Sequence, residues 1–100
     1  MKFHAETTQV GLKVTGDMTE QSSIGMTSVL MNSIGPGPHA LLVDLSDVHQ
    51  FDQSGIQFLS MLRRKAARQQ RPLQLLGTTA VVRAAEIEFR ESTAEAVVEG

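Results

Sequence analysis

The sequence predicts an α/β fold: a small, mainly parallel (mixed) β-sheet of about four strands with helices packed on it. Three observations carry this. The run ALLVDL at 40–45 is short, almost continuously apolar and bounded by turn residues, the pattern of a strand buried on both faces of a parallel sheet. SGIQFLSMLRRKAARQ at 54–69 has a helical apolar stripe, with Ile56, Leu59, Leu62 and Ala66 widened by Phe58 and Met61, while Gln57, Ser60, Arg64 and Arg68 fall outside it. After Arg71-Pro72 a second apolar run, LQLLG, supplies the next strand, so strand and helix alternate.

The remaining elements follow in order. KFHAETTQVGLKVTG partly alternates, with Val10, Leu12 and Val14 on one side, and reads as one or two short strands with a bend near Val10-Gly11. Gly16-Asp17 is a turn signal and Thr19 an N-cap for a first helix over 20–34. Ile24, Met26, Leu30, Met31 and Ile34 approximate helical spacing there, and the PGPH stretch at 36–39 stops it. Thr78 or Thr79 caps a third helix through Val81, Val82, Ala84, Ala85 and Ile87, and Ser92-Thr93-Ala94-Glu95 has the form of a capping box opening a last short helix. The layout is β-β-α-β-α-β-α-(α), as a single domain over residues 1–100 without an internal linker.

Composition narrows the function classes. The chain has 100 residues, 41% of them hydrophobic and 20% charged, enough for one core without staples. With no cysteine, disulfides and thiolate metal sites are excluded, which suits a cytoplasmic location. MKFHAETTQV has one lysine and no apolar h-region, so it is not expected to be a secretory signal. No apolar stretch approaches the roughly 20 residues that span a bilayer, so membrane insertion is not expected. A net charge of -2, with neither tryptophan nor tyrosine, argues against direct nucleic-acid binding. Five of the nine Lys and Arg lie in RRKAARQQR at 63–71, where cations at a helix C-terminus complement its dipole. Asp44, Asp47 and Asp52 lack calcium-loop spacing, so neither a metal nor a cofactor is expected.

FDQSGIQFL at 51–59 concentrates the functional question on Ser54. Ser54-Gly55-Ile56-Gln57 reads as a capping box, the serine oxygen accepting a backbone N–H and Gln57 reaching back. The same serine also lies between a buried strand and a helix, at the sheet end where α/β proteins place function. A phosphate there would meet unpaired N–H groups and the positive end of the helix dipole, with Asp52 opposing it. Nucleophilic catalysis fits poorly. A strand-serine-helix elbow needs glycine two residues before and two after, and those positions hold Asp52 and Ile56. No enzyme is expected.

ALLVDLSDVHQFDQSGIQFL resembles the STAS domains, the family of bacterial anti-sigma factor antagonists. Val43-Asp44-Leu45-Ser46 and Phe51-Asp52-Gln53-Ser54-Gly55 stand where that family has a buried strand, an Asp-Ser-Ser-Gly-like motif and a long helix, and the likeness runs over about residues 10–97. Gly16-Asp17-Met18-Thr19 stands at the family's turn before the first helix, and the end of the third helix region is shortened. The resemblance implies a partner-switching regulator, phosphorylated on Ser54 by an ATPase-fold serine kinase that is often itself the anti-sigma factor. A PP2C-type phosphatase would reverse this, and Asp52, Gln53, Ser54, Gly55, Ile56 and Gln57 would meet the partner. It implies a monomer or weak dimer. The alternative is a STAS subunit docked without phosphorylation on a larger complex, such as a lipid-transport ABC system.

Overall fold

The computed structural model describes residues 2–32 and 34–99, with side chains described through residue 91. Four strands form one mixed sheet in the order β1-β2-β3-β4, comprising β1 (His4–Thr7), β2 (Gly11–Met18), β3 (Leu41–Phe51) and β4 (Leu73–Leu76). β1 and β2 pair antiparallel, while β2 with β3 and β3 with β4 pair parallel. A 3-10 turn (Glu20–Ser22) leads into α1 (Ser23–Asn32), α2 (Gln53–Arg68) joins β3 to β4, and α3 (Ala80–Glu99) closes the order. The α/β class, the four strands and the mainly parallel pairing agree with the sequence reading.

The sheet buries one face. Leu12, Val14 and Met18 of β2 and Leu41, Val43 and Leu45 of β3 are buried with the inward residues of all three helices, while Lys13, Thr15, Leu42 and Asp44 between them are only half-buried. The 40–45 run is therefore not a strand covered on both faces; it alternates. β3 also extends six residues beyond Leu45. Its register against β2 slips twice, Lys13↔Asp44 being followed by Thr15↔Asp47 and Gly16↔Val48 by Asp17↔Gln50. Each slip gives β3 one extra residue, a β-bulge. The bulges explain why Val48 turns inward three residues after Leu45, a spacing that regular alternation does not allow.

Gly16-Asp17 is likewise not a turn but part of β2. Gly16 sits at φ 86°, and a Cβ there would lie 2.0 Å from the Lys2 carbonyl oxygen, so only glycine lets the N-terminal segment pass so close. Val10, expected with Leu12 and Val14, is 48% exposed because it precedes the strand in the hairpin turn.

In α1 the inward positions are Met26 and Val29, whereas Ile24 and Met31 project outward at 87% and 71% exposure. In α2 Ile56, Phe58, Leu59, Leu62 and Ala66 are buried as the stripe predicts, but Met61 lies at its margin, 52% exposed. Val81, Val82 and Ala85 dock α3 onto the same core; Ile87 does not and is 52% exposed. The Thr79 carbonyl accepts the Val82 and Arg83 N–H groups at the start of α3, while its hydroxyl donates to the Leu45 carbonyl at 3.2 Å. α3 runs without a break past Ser92, so no separate last helix forms. The Ser92 and Glu95 side chains of the expected capping box lie outside the described residues.

Much of the basic run is consumed inside the fold. Lys65 Nζ donates to the Leu30 carbonyl in the last turns of α1. Arg63 lies 4.8 Å from the centre of the Phe89 ring. Arg71 donates from Nε to His39 O at 2.9 Å and from Nη1 to Gly35 O at 3.1 Å, holding the loop before β3. α2 itself ends in a Schellman motif, with Arg71 N–H bonded to Ala66 O and Gln70 N–H to Ala67 O, both at 2.9 Å. Gln70 occupies the left-handed position at φ 60°, where glycine is the unstrained residue. Gln70→Gly is expected to raise unfolding stability by about 0.5–1 kcal/mol, measured as an increase in the urea midpoint at unchanged slope.

Candidate functional site

The parallel strands β2 and β3 end side by side, with Met18 paired to Phe51. Each then feeds a helix: the 3-10 turn and α1 after β2, and α2 after β3. The helix starts bring unpaired N–H groups to the same edge of the sheet. One carboxylate serves both. Asp52 Oδ1 accepts the Ser54 N–H and Oδ2 accepts the Glu20 N–H, each at 2.9 Å. The Asp52 N–H in turn donates to the Met18 carbonyl at 3.3 Å, tying the α2 start back to the end of β2.

This corrects two capping assignments. Thr19 precedes the 3-10 turn but makes no side-chain capping bond, because Asp52 takes that role from 32 residues away in sequence. The capping box led by Ser54 does not form either. β3 holds its extended conformation to Phe51, so the helix begins immediately after it, with Asp52 as N-cap at φ -134° and ψ -168°. Aspartate caps at least as well as serine and comes first in the chain, so Ser54 is displaced to the second helical position.

Ser54 is consequently relieved of capping. It is half-buried and lines an open groove of about 360 Å³ between α1 and α2, with Met26, Leu30, Met31, Phe58 and Met61 among its walls. Gln53 and Gln57 on either side of it are exposed, as is Asp52. Gly55 and Ile56 are not surface residues. A Cβ on Gly55 would lie 2.3 Å from the Met18 carbonyl oxygen and 3.0 Å from the Met18 Cβ. The glycine is there so that α2 can start against the end of β2. Ile56 is 5% exposed and packs into the core. Of the six motif residues, Asp52, Gln53 and Gln57 are exposed, Ser54 is half-buried, and Gly55 and Ile56 are buried.

Electrostatics at this edge centre on Asp52. The Glu20 N–H, more than any other contact, holds its carboxyl below the usual carboxylate range, aided by the Ser54 and Gly55 N–H groups and the Ser54 hydroxyl and opposed by partial desolvation. Asp44 is held low as well, first by the Ser46 hydroxyl at 2.6 Å and then by the Ser46 N–H at 2.9 Å. Asp47 pairs with Lys13 at 3.3 Å. Asp44, Asp47 and Asp52 thus have separate partners, and among the described residues no group of three or more His, Cys, Asp or Glu is placed to hold a metal ion. His4, His39 and His49 are exposed in β1, the loop before β3 and β3. Among the described residues no helix is long and apolar enough to cross a membrane.

The double cap escaped the sequence reading because its second partner, Glu20, lies far away in the chain. The local half was visible as Asp two residues before Ser at the end of a strand, the spacing of an aspartate accepting the N–H two residues on. Phe3 was also missed; its ring meets Phe58 edge-on with centroids 6.2 Å apart, bringing the N-terminal segment to α2.

A family model described as "Mlab, STAS domain" matches residues 1–90. Among solved structures, an uncharacterized DUF3478-family protein with a SpoIIAA-like fold, from Shewanella loihica PV-4, is 16% identical with a TM-score of 0.46; the match covers 79% of this chain and 68% of that one. No curated protein matches the chain.

Asp52 gives a signed pH dependence. Its folded pKa is lowered, so its stabilisation is fully present above the ordinary carboxyl value of 3.8 and is lost as pH falls through the folded value. Asp52→Asn keeps one acceptor oxygen where two are used; it is expected to lower the neutral-pH melting temperature and to flatten the acid limb of the stability curve, leaving the slope due to Asp44, as followed by circular dichroism across pH 2 to 7. Gly55→Ala is expected to cost about 1–3 kcal/mol in urea unfolding, because the new methyl meets backbone at Met18.

Proposed function

Because the chain belongs to the STAS domain family, we propose that it is a protein-binding regulator of the anti-sigma factor antagonist type, controlled by reversible phosphorylation of Ser54. The observation that carries this reading is the position of that serine. Its hydroxyl is freed from capping by Asp52, stands in the first turn of α2 and lines an open groove rather than the sealed core.

A kinase would transfer the γ-phosphoryl group of ATP to the Ser54 oxygen, with loss of the hydroxyl proton and release of ADP. The phosphate would gain from the α2 N-terminus. It would also stand beside the Asp52 carboxylate, which already holds the Ser54 N–H. Repulsion between the two anions and competition for the first-turn N–H groups oppose that gain. The Glu20 and Ser54 backbone N–H groups hold Asp52 without the hydroxyl, so the modification would change the docking surface by about two charges while the fold persists. Gln53 and Gln57 flank the modified position and would report its state to a partner. An ATPase-fold serine kinase acting also as anti-sigma factor, and a PP2C-type phosphatase, are the partners this reading calls for. The protein would act without catalysis of its own, in the cytoplasm.

A second reading is a STAS subunit docked permanently on a larger complex, such as a lipid-transport ABC system. The exposure of Met31 and Met61 beside Ser54 favours it, since a permanently covered surface tolerates apolar residues that a free one does not.

Incubation with the kinase and ATP is expected to place one phosphate on Ser54, located by peptide mass spectrometry and absent in Ser54→Ala. Ser54→Ala keeps full partner affinity, and Ser54→Asp weakens it by roughly tenfold or more in calorimetric titration. If co-purification with a complex is indifferent to Ser54→Asp and the serine stays unmodified, the docking-subunit reading replaces the switch.

A further inference from the structure

The groove that begins at Ser54 continues along the two helices. Leu30 and Met61 line both the 360 Å³ section at Ser54 and a second section of about 470 Å³ that runs on to Arg64, Lys65, Arg68 and Gln69. The two sections share walls and form one trough between α1 and α2. Its apolar crests are Met31 at 71% exposure and Met61 at 52%, with Leu30 half-buried lower down. The far end is cationic. Lys65 is committed to the Leu30 carbonyl, but Arg64 and Arg68 are exposed and have no ion-pair partner among the described residues. In a chain of net charge -2, this is a local concentration of unneutralised positive charge next to an apolar trough.

We propose that this trough docks an amphipathic helix of a partner protein, with its apolar face against Leu30, Met31 and Met61 and its carboxylates over Arg64 and Arg68. A helix fits better than an extended strand. Both walls are helices, and the sheet edges β1 and β4 contribute no residue to the lining, so there is no free ladder for a strand to join. A third helix lying between two is held by side-chain ridges on both sides, and unbranched methionines adapt to its surface. A bilayer is a poorer match. The surface is concave, and two free arginines fall short of the clusters of about four to eight cations that read as anionic-lipid sites. The inference rests on the protein-binding reading above, though not on phosphorylation. Ser54 at one end of the trough and the arginines at the other define its two ends.

The test uses the full chain with 13C-methyl methionine and a fluorescein-labelled helical peptide of about 16 residues, carrying leucines at i, i+4, i+7 and i+11 and glutamates beside them at one end. A matched peptide has lysine in place of glutamate. The expected result is saturable one-to-one binding of the glutamate peptide, with shifts at the Met31 and Met61 methyls and none at buried Met18. Arg64→Glu combined with Arg68→Glu is expected to weaken that binding by roughly tenfold or more and to confer binding of the lysine peptide, a gain that misfolding does not produce. Equal binding of both peptides to the unaltered chain, shifts that avoid Met31 and Met61, or indifference to charge reversal would overturn the proposal. So would dimerisation of the chain through the same methyls, or their perturbation by phosphatidylglycerol-containing vesicles in place of the peptide. Kinase assays on Ser54 are scored separately, so a failed titration leaves the switch standing and a failed phosphorylation leaves the trough.

Discussion

The structure turns on a carboxylate shared between two helix starts. Two parallel strands that end level with each other present two sets of orphan N–H groups at one edge, and an N-cap normally serves only its own helix. Asp52 satisfies donors in both, through its two oxygens, and its own N–H returns to the Met18 carbonyl. The register of β2 against β3, the start of α2 and the entry to α1 are thereby fixed relative to one another. Gly55 completes the constraint, because only a residue without Cβ lets the first turn of α2 lie against Met18. The Asp52-Gln53-Ser54-Gly55 motif therefore has an architectural half, Asp52 and Gly55, and an outward half, Gln53 and Ser54.

That division follows from the one-faced sheet. Three helices share a single core with the inward residues of β2 and β3, and the alternate strand residues remain half-buried. Polar side chains on the outer face find short-range partners there, as Asp44 does with Ser46 and Asp47 with Lys13. The basic run is drawn inward by the same economy of space. Lys65 and Arg71 reach the end of α1 and the loop behind it, and Arg63 stacks on Phe89 of α3. Cations that a sequence reader assigns to the α2 dipole in fact join α2 to its neighbours, and Arg64 and Arg68 are left facing the trough.

Elements with one dominant period were legible from the sequence. The α2 stripe, the apolar start of β3 and the strand after Pro72 announced themselves, and with them the alternation that gives a mainly parallel sheet. What failed was local geometry imposed from a distance. The second half of β3 was invisible because two bulges set Val48 out of phase with Leu45, so the apolar spacing looks like neither strand nor helix. Gly16 read as a turn because a positive φ and a turn share the same residue preference; here the close passage of Lys2 demands it instead. Ile24 and Met31 fit a helical period yet face outward, since the inward arc of α1 is occupied by Met26 and Val29. At the site, the serine was found but its local role was misassigned. The oxygen that caps α2 belongs to Asp52, whose second partner is remote in sequence and so beyond any local motif.

Displacing the cap from Ser54 to Asp52 matters for what the surface can do. A serine that caps its own helix cannot be altered at its oxygen without fraying the helix, so stability and signalling would be coupled. With the cap supplied by Asp52, a change at the Ser54 hydroxyl would leave in place the oxygen that caps α2. On the proposed reading the two features that meet at the trough separate in role: the apolar and cationic wall would serve as a docking platform, and the Ser54 end as a position where added charge would bear on that platform directly. A permanently docked subunit needs only the wall. A regulator of the proposed kind would need both, the wall and a hydroxyl that lines the groove without capping its own helix.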